Sequence, residues 1–398
     1  VTTICRSFQR VATAAVLGVV LALAGPSAHA DDRLRPEVAK PLNDAQSQYR
    51  AHNYRGALEK IAQAAAVPGK TPHETRIVEE MQGAAAMAAG DTGTAAQAYE
   101  ALLSSGQLDV AGQQRFAAAL AGIYFGQKNY PATIRTVQRY AKAGGDASVR
   151  ELLLQSYYLA GDCANVVATL KPAVDAALKA GRAAAETQLQ MLAECAQKVN
   201  DGGARAASLA ALVAYYPNPA YEARLFGEVR RRPGYLASLD LDVYRLRRAT
   251  GTLTTADQYM EMTQLALVAG LPAEAKQVID QGFASGVLGR GEQAARQKRL
   301  QVLVIRRLQG QQDGGRAPVD PLDGALDLVF AGRSQQGIEA MKAGVANGTP
   351  HPDAARLRLG EAYYYAGQKE RAIQVFRTVK GTDGSAELAS LWALIAGR

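Results

Sequence analysis

Cysteine is scarce in this 398-residue chain: there are three, and Cys5 lies in the opening stretch. That excludes a disulfide-dense scaffold and a cysteine-rich zinc module. Histidine is almost as rare, with four residues. Apart from His29 these are His52, His73 and His351, none at metal-ligand spacing from another, so no zinc site is expected. Strand signals are also few, because β-branched residues rarely alternate with polar ones. There is no Walker loop, no GxGxxG after a strand and no GxSxG elbow; in the nearest look-alike, Gly282-Phe283-Ala284-Ser285-Gly286, the serine comes one place late. The paired acids Asp240/Asp242 and Glu79/Glu80 read as solvated helix faces. The expectation is a chain without catalytic residues, metal or cofactor, and therefore not an enzyme.

What the chain has instead is small residues at recurring offsets. Residues Asp353 to Val379 read as a helical hairpin, with Gly360 and Tyr363 on a first helix, Gly367 at a turn, and Ala372 and Phe376 on a second. The pattern returns at Ala45, Ala57 and Ile61, at Gly83, Ala95 and Tyr99, at Ala121 and Val137, and at Leu154, Val166 and Leu170. Weaker matches centre on Ala206, Ala275 and Gly337. The steps are 38 residues from Ala57 to Ala95, 38 from Ala95 to Thr133, 33 from Thr133 to Val166 and 35 from Gly337 to Ala372. Gly or Ala is needed where two helix backbones cross closely, and an aromatic fills the wedge beside the crossing. Gly90-Asp91, Gly161-Asp162 and Gly367-Gln368 suit the turns, Gly for a left-handed cap and Asp for the next N-terminus. The expected fold is all-α, an α-solenoid of stacked helix-turn-helix repeats. SAELASLWALIAG forms a C-terminal capping helix.

These residues and their period, close to 34, resemble the tetratricopeptide repeat (TPR) family. The resemblance covers most of 40–398, most closely 353–380 and 40–180. It implies a concave face lined by first helices, where extended peptides or partner helices bind. Carried over, the inward positions are Tyr49, Met87, Phe125, Tyr158 and Tyr364, with Gln46 and Gln155 a turn earlier. Two readings of them stay open: the floor of a peptide groove, or packing between adjacent hairpins. The stretch from LDVYRLRRATG through YMEMTQLALVAGLPAEAKQVIDQGFASGVLG is also similar to periplasmic repeat proteins that accompany TonB- and ExbB-type energy-transducing machinery.

The first thirty residues look like a secretory signal. Arg6 and Arg10 precede an apolar run from Val11 to Ala24, and Ala28-His29-Ala30 is a small-x-small cleavage site followed by Asp31-Asp32. The run falls short of the roughly 20 residues of a comfortable membrane span. Cleavage after Ala30 and residence in the periplasm are expected, with no transmembrane segment in the mature chain. In that oxidising compartment Cys163 and Cys195 are candidates for a disulfide, the alternative being two buried thiols.

Positive charge concentrates in one segment. Residues 221–310 carry 14 basic against 9 acidic groups, whereas 31–220 and 311–398 are nearly balanced. Arg230, Arg231, Arg232, Arg245, Arg247 and Arg248 are the candidate basic patch; Arg296, Lys298, Arg299, Arg306 and Arg307 follow. An acidic protein, an anionic lipid surface or an acidic cell-wall polymer would meet such a patch, unless it is only a solvated face. Nucleic acid is not expected of an exported chain without a binding motif.

The expected organisation is a signal over 1–30, a regular array over 31–218 closed by Pro217 and Pro219, and a less regular basic segment over 219–310. A polar linker over 311–318 and a repeat pair with its cap over 319–398 complete it. The functional expectation is a non-catalytic periplasmic scaffold that binds a protein or peptide segment in assembling or energising an envelope complex. The alternative is a peptidoglycan enzyme or polysaccharide-binding accessory on a helical-repeat scaffold. The region after the linker, filled by repeats, leaves no room for a lysozyme-like domain.

Overall fold

A computed structural model describes residues 33–141, 147–312 and 321–398; the expected signal over 1–30 and most of the expected linker lie outside them. Among the described residues there are twenty helices and no strand, so the protein is an all-α helical-repeat chain. It divides into two compact units, Val1–Val166 and Val167–Arg398. The division falls just inside α8 (Cys163–Lys179), ahead of the prolines that separate α10 (Gly202–Tyr215) from α11 (Pro219–Arg230).

The first unit is built from the hairpins α1 (Pro36–Arg50) with α2 (Tyr54–Ala65), α3 (Pro72–Ala89) with α4 (Thr92–Ser104), and α5 (Val110–Gly126) with α6 (Tyr130–Ala141), followed by α7 (Ala147–Leu159). Each hairpin also packs on the next through α2 and α3, α4 and α5, and α6 and α7. The small residues that open the second helices, Ala57, Ala95 and Thr133, are fully buried. The crossings are as close as glycine allows. A Cβ on Gly83 of α3 would lie 2.2 Å from the Tyr99 ring of α4. The ring that fills the wedge beside the small residue thus comes from the partner helix.

One turn joins the two helices of these hairpins. A residue in the left-handed region is followed by Asn or Asp, whose side chain accepts a hydrogen bond from a backbone N–H in the new helix's first turn. Gly90 (φ 79°) precedes Asp91, which accepts from Thr94 N at 3.0 Å; Gly161 (φ 75°) precedes Asp162, which accepts from Asn165 N at 3.2 Å. His52 and Lys128, both at φ 58°, hold the same place before Asn53 and Asn129, and Asn200 (φ 59°) does so before Asp201 in the second unit. The repeated device is therefore the Asx cap, with glycine optional ahead of it.

The second unit contains the hairpins α9 (Glu186–Lys198) with α10, α13 (Ala256–Ala269) with α14 (Pro272–Ala284), α16 (Pro321–Phe330) with α17 (Ser334–Asn347), and α18 (Pro352–Tyr365) with α19 (Lys369–Phe376). Single helices α12 (Leu239–Thr250) and α15 (Ala294–Gln312) stand beside the central hairpin, α15 running past Gly310 into the expected linker. In α18 a Cβ on Gly360 would lie 2.3 Å from the Phe376 ring of α19, repeating the crossing at Gly83. The last helix, α20 (Ser385–Ala396), does more than cover the final pair. It packs against α18 and α19 and also against α10 and α12, so helices distant in sequence converge on it. Its Trp392 is fully buried and stacks on Phe376, with ring centroids 5.8 Å apart and planes 7° from parallel.

Candidate functional site

In the first unit the candidate residues sit at the C-terminal ends of the first helices. Tyr49 is 38% exposed and meets Tyr54 edge-on at 5.2 Å; Phe125 is half-buried and meets Tyr130 edge-on at 5.7 Å. Both contacts lie within a single hairpin, each joining the end of a first helix to the start of its second. Met87 packs against the core formed by α3, α4 and α5, and Tyr158 is half-buried. Gln46 is half-buried, while Gln155 is buried and donates to Glu151 at 3.2 Å, so Gln155 offers little to a ligand. Leu159, which the sequence reading passed over, ends α7 with 41% of its surface exposed. Tyr364 belongs to the second unit and packs on Trp392 at 4.8 Å and Tyr365 at 5.5 Å; its place is in that aromatic cluster. The row that remains is Tyr49, Met87, Phe125, Tyr158 and Leu159, half packing and half surface.

A cleft of about 370 Å³ opens between α4, α5 and α6, edged by Glu100, Ser104, Tyr124, Arg135 and Thr136. Tyr124 donates its hydroxyl proton to Glu100. Burial and that carboxylate push the Tyr124 hydroxyl up to about 12, so it is a hydrogen-bond donor at neutral pH and not a base. At the start of the unit Glu74, which closes the capping box of α3 with Thr71, accepts from the backbone N–H of Arg35 at 2.9 Å and from its guanidinium. Those bonds hold the Glu74 carboxyl down at about 2.

The basic segment is corrected by the structure, for its arginines are largely engaged. Arg230 pairs with Asp240 at 2.8 Å and Arg232 pairs with Glu387. Arg247 lies 3.5 Å from Glu222 and over the rings of Tyr244 and Phe226. Arg248 donates to Gln281 at 2.9 Å and to Gln277 at 3.3 Å. Arg245 is fully buried. Of the six, only Arg231 is exposed without an ion pair among the described residues. A charge count within 221–310 could not reveal that Glu361 and Glu387, far along the chain, turn back to neutralise this segment.

Around Arg245 lies a sealed cluster that sequence reasoning missed. Its Nε and Nη2 donate to the two oxygens of Glu274 at 2.8 and 2.6 Å, and its Nη1 donates to Asp242 at 2.6 Å and Glu361 at 3.0 Å. Trp392 Nε1 donates to the other oxygen of Glu361 at 2.9 Å. Arg358 pairs with Asp323 at 2.9 Å, and Asp327 accepts from the backbone N–H groups of Ala273 and Glu274, both at 3.0 Å, capping α14. Two guanidiniums thus face five carboxyl groups, more negative charge than a buried site can hold. Burial and neighbouring Asp242 raise the Glu361 pKa well above the carboxylate range, against the pull of Arg245. Burial raises Asp327 to about 6. Burial opposes the charge of Arg245, but Glu274 and Glu361 outweigh it and raise the arginine's pKa well above its usual value. The side chains of Arg245, Asp242, Glu274 and Glu361 are at most 1% exposed. No substrate reaches them, and the cluster ties α12, α14, α16, α18 and α20 together.

Cys163, at the start of α8, and Cys195, on α9, are both disulfide-bonded. Among the described residues no group of three or more His, Cys, Asp or Glu is placed to hold a metal ion, and no helix is long and apolar enough to cross a membrane.

No family model matches the chain, and no curated protein matches it. Among solved structures it is similar to the TPR domain of P58(IPK), known from a crystal structure at 2.5 Å. The identity is 13%, 90% of this chain and 98% of that one are covered, and the TM-score is 0.24.

Proposed function

We propose that the protein is a non-catalytic scaffold that binds a protein segment along the first-helix ends of its N-terminal unit. The observation that carries this reading is the row of apolar side chains there. Tyr49 and Leu159 are 38% and 41% exposed, and Met87, Phe125 and Tyr158 are only half covered. Partly exposed aromatics on rigid helices give large contact area at little entropic cost. A partner recovered by crosslinking from envelope extract supplies the assay. Tyr158→Ala or Phe125→Ala should then weaken binding by about 1–3 kcal/mol in surface plasmon resonance, with helicity unchanged by circular dichroism. Wild-type affinity in both variants would mean that the row only braces the hairpin turns.

The process served is the assembly or energising of a cell-envelope complex, and the scaffold acts after export. A basic start, an apolar run and the Ala28-x-Ala30 site support export, and cysteines held as disulfide suit an oxidising compartment. N-terminal sequencing of protein from the envelope fraction should begin at Asp31. Retention of residues 1–30 would refute cleavage.

A further inference from the structure

Five of the second unit's cations without an ion pair share the single helix α15. Arg296, Lys298, Arg299, Arg306 and Arg307 are all exposed, none makes an ion pair among the described residues, and the helix contains no acid. In sequence the helix is flanked by Glu292, exposed ahead of the first turn, and by Asp313 after the last. Between the two cationic groups lie Val302, Leu303 and Ile305, which are 43%, 43% and 40% exposed. Such residues are otherwise sparse on the surface, and here three large ones share little more than one turn. The opposite side of the helix is anchored, with Gln297, Leu300 and Val304 buried against α13 and α14.

We propose that the outward face of α15 docks on an anionic phospholipid surface. Charge complementarity decides the sign of the occupant: a face with five free cations and no acid seeks negative charge. The apolar centre decides its kind. A soluble acidic polymer would be held by the guanidiniums alone and would have no use for Val302, Leu303 and Ile305. A bilayer uses both, since the apolar side chains enter the headgroup boundary while arginines on either side reach the phosphates. The convex face of a helix also suits a flat membrane better than it suits an extended peptide. Because no described helix is long and apolar enough to span the bilayer, this contact is peripheral and salt-sensitive.

The test is co-sedimentation of the full chain with vesicles of phosphatidylcholine alone and of phosphatidylcholine with about a third phosphatidylglycerol. The expected result is binding to the anionic vesicles only, weakened at high salt. The triple variant Val302→Ser, Leu303→Ser, Ile305→Ser should lower the partition at least tenfold, and Arg306→Gln with Arg307→Gln several-fold. All five positions are exposed, so circular dichroism should report an unchanged fold. Absence of binding to anionic vesicles overturns the proposal. So does a triple serine variant that binds like wild type, which would leave a purely electrostatic face for acidic polymer. Wild-type dimerisation in sedimentation that the triple variant abolishes, without vesicle binding, would assign the face to a second copy of the chain.

Discussion

A helix position occupied by glycine carries two opposite meanings in this protein, and only the neighbouring helix distinguishes them. Gly360 is buried, and a methyl group there would lie 2.3 Å from the ring of Phe376, itself held in a stack with Trp392. Gly122, on α5, would place its Cβ in open space. Alanine at Gly122 should stabilise by about 0.5–1 kcal/mol, because it removes backbone freedom from the unfolded chain. Alanine at Gly360 receives the same benefit but must displace a packed ring, and the net effect should be a loss of about 1–3 kcal/mol. Urea denaturation of both variants checks the pair. A stabilised Gly360→Ala would show that the crossing with α19 is looser than its geometry indicates.

At the scale of the element, the hairpins were legible because their signals are local. Small residues at Gly83, Ala95 and Gly360, and Asp at the turns, each act within one or two helices, so their order along the chain carries the information. What occupies each crossing was less legible, since Tyr99 and Phe376 lie on the partner helix and not beside the small residue in sequence. The ion cluster was not legible at all. Arg245 sits in an arginine-rich run that looks solvent-exposed, and its partners Glu274 and Glu361 come from α14 and α18. The nearest available signal was the spacing of Asp242 and Arg245, three apart and therefore on one helix face. The candidate groove was half legible. Helical periodicity places Tyr49, Met87, Phe125 and Tyr158 at equivalent positions, but it cannot say that Tyr49 and Phe125 lean on Tyr54 and Tyr130, or that Tyr364 turns to Trp392. The same limit affects the role of α20. Its apolar spacing shows a buried helix, while its contacts with α10 and α12 are a matter of topology.

Across the whole molecule, the two units should answer acid in opposite directions. In the first unit Glu74 is held down at about 2 by hydrogen bonds from Arg35, against 4.5 for a free glutamate. The stability it contributes is fully present above about pH 4.5 and is lost as pH falls toward 2. In the second unit Asp327 is raised by burial to about 6, against 3.8 when free. Its folded form keeps a proton that the unfolded chain has released, so its contribution is complete below about pH 3.8 and is lost as pH rises through 6. Glu361, raised by burial and by Asp242, acts in the same sense. Trp392 is the single tryptophan of the chain and lies in the second unit, so its fluorescence reports that unit alone. Urea unfolding followed by this signal should show greater stability at pH 5 than at pH 7. In Asp327→Asn the difference should shrink by about 1 kcal/mol, the part that this carboxyl supplies over that interval. It should not vanish, because burial raises Glu361 as well. Circular dichroism at pH 3 and below should detect the first unit's loss, which Glu74→Gln would remove from the pH profile at the cost of lower stability at pH 7. A fluorescence midpoint that does not change between pH 7 and pH 5 would mean that burial raises neither Asp327 nor Glu361, and the opposed acid responses of the two units would have to be abandoned.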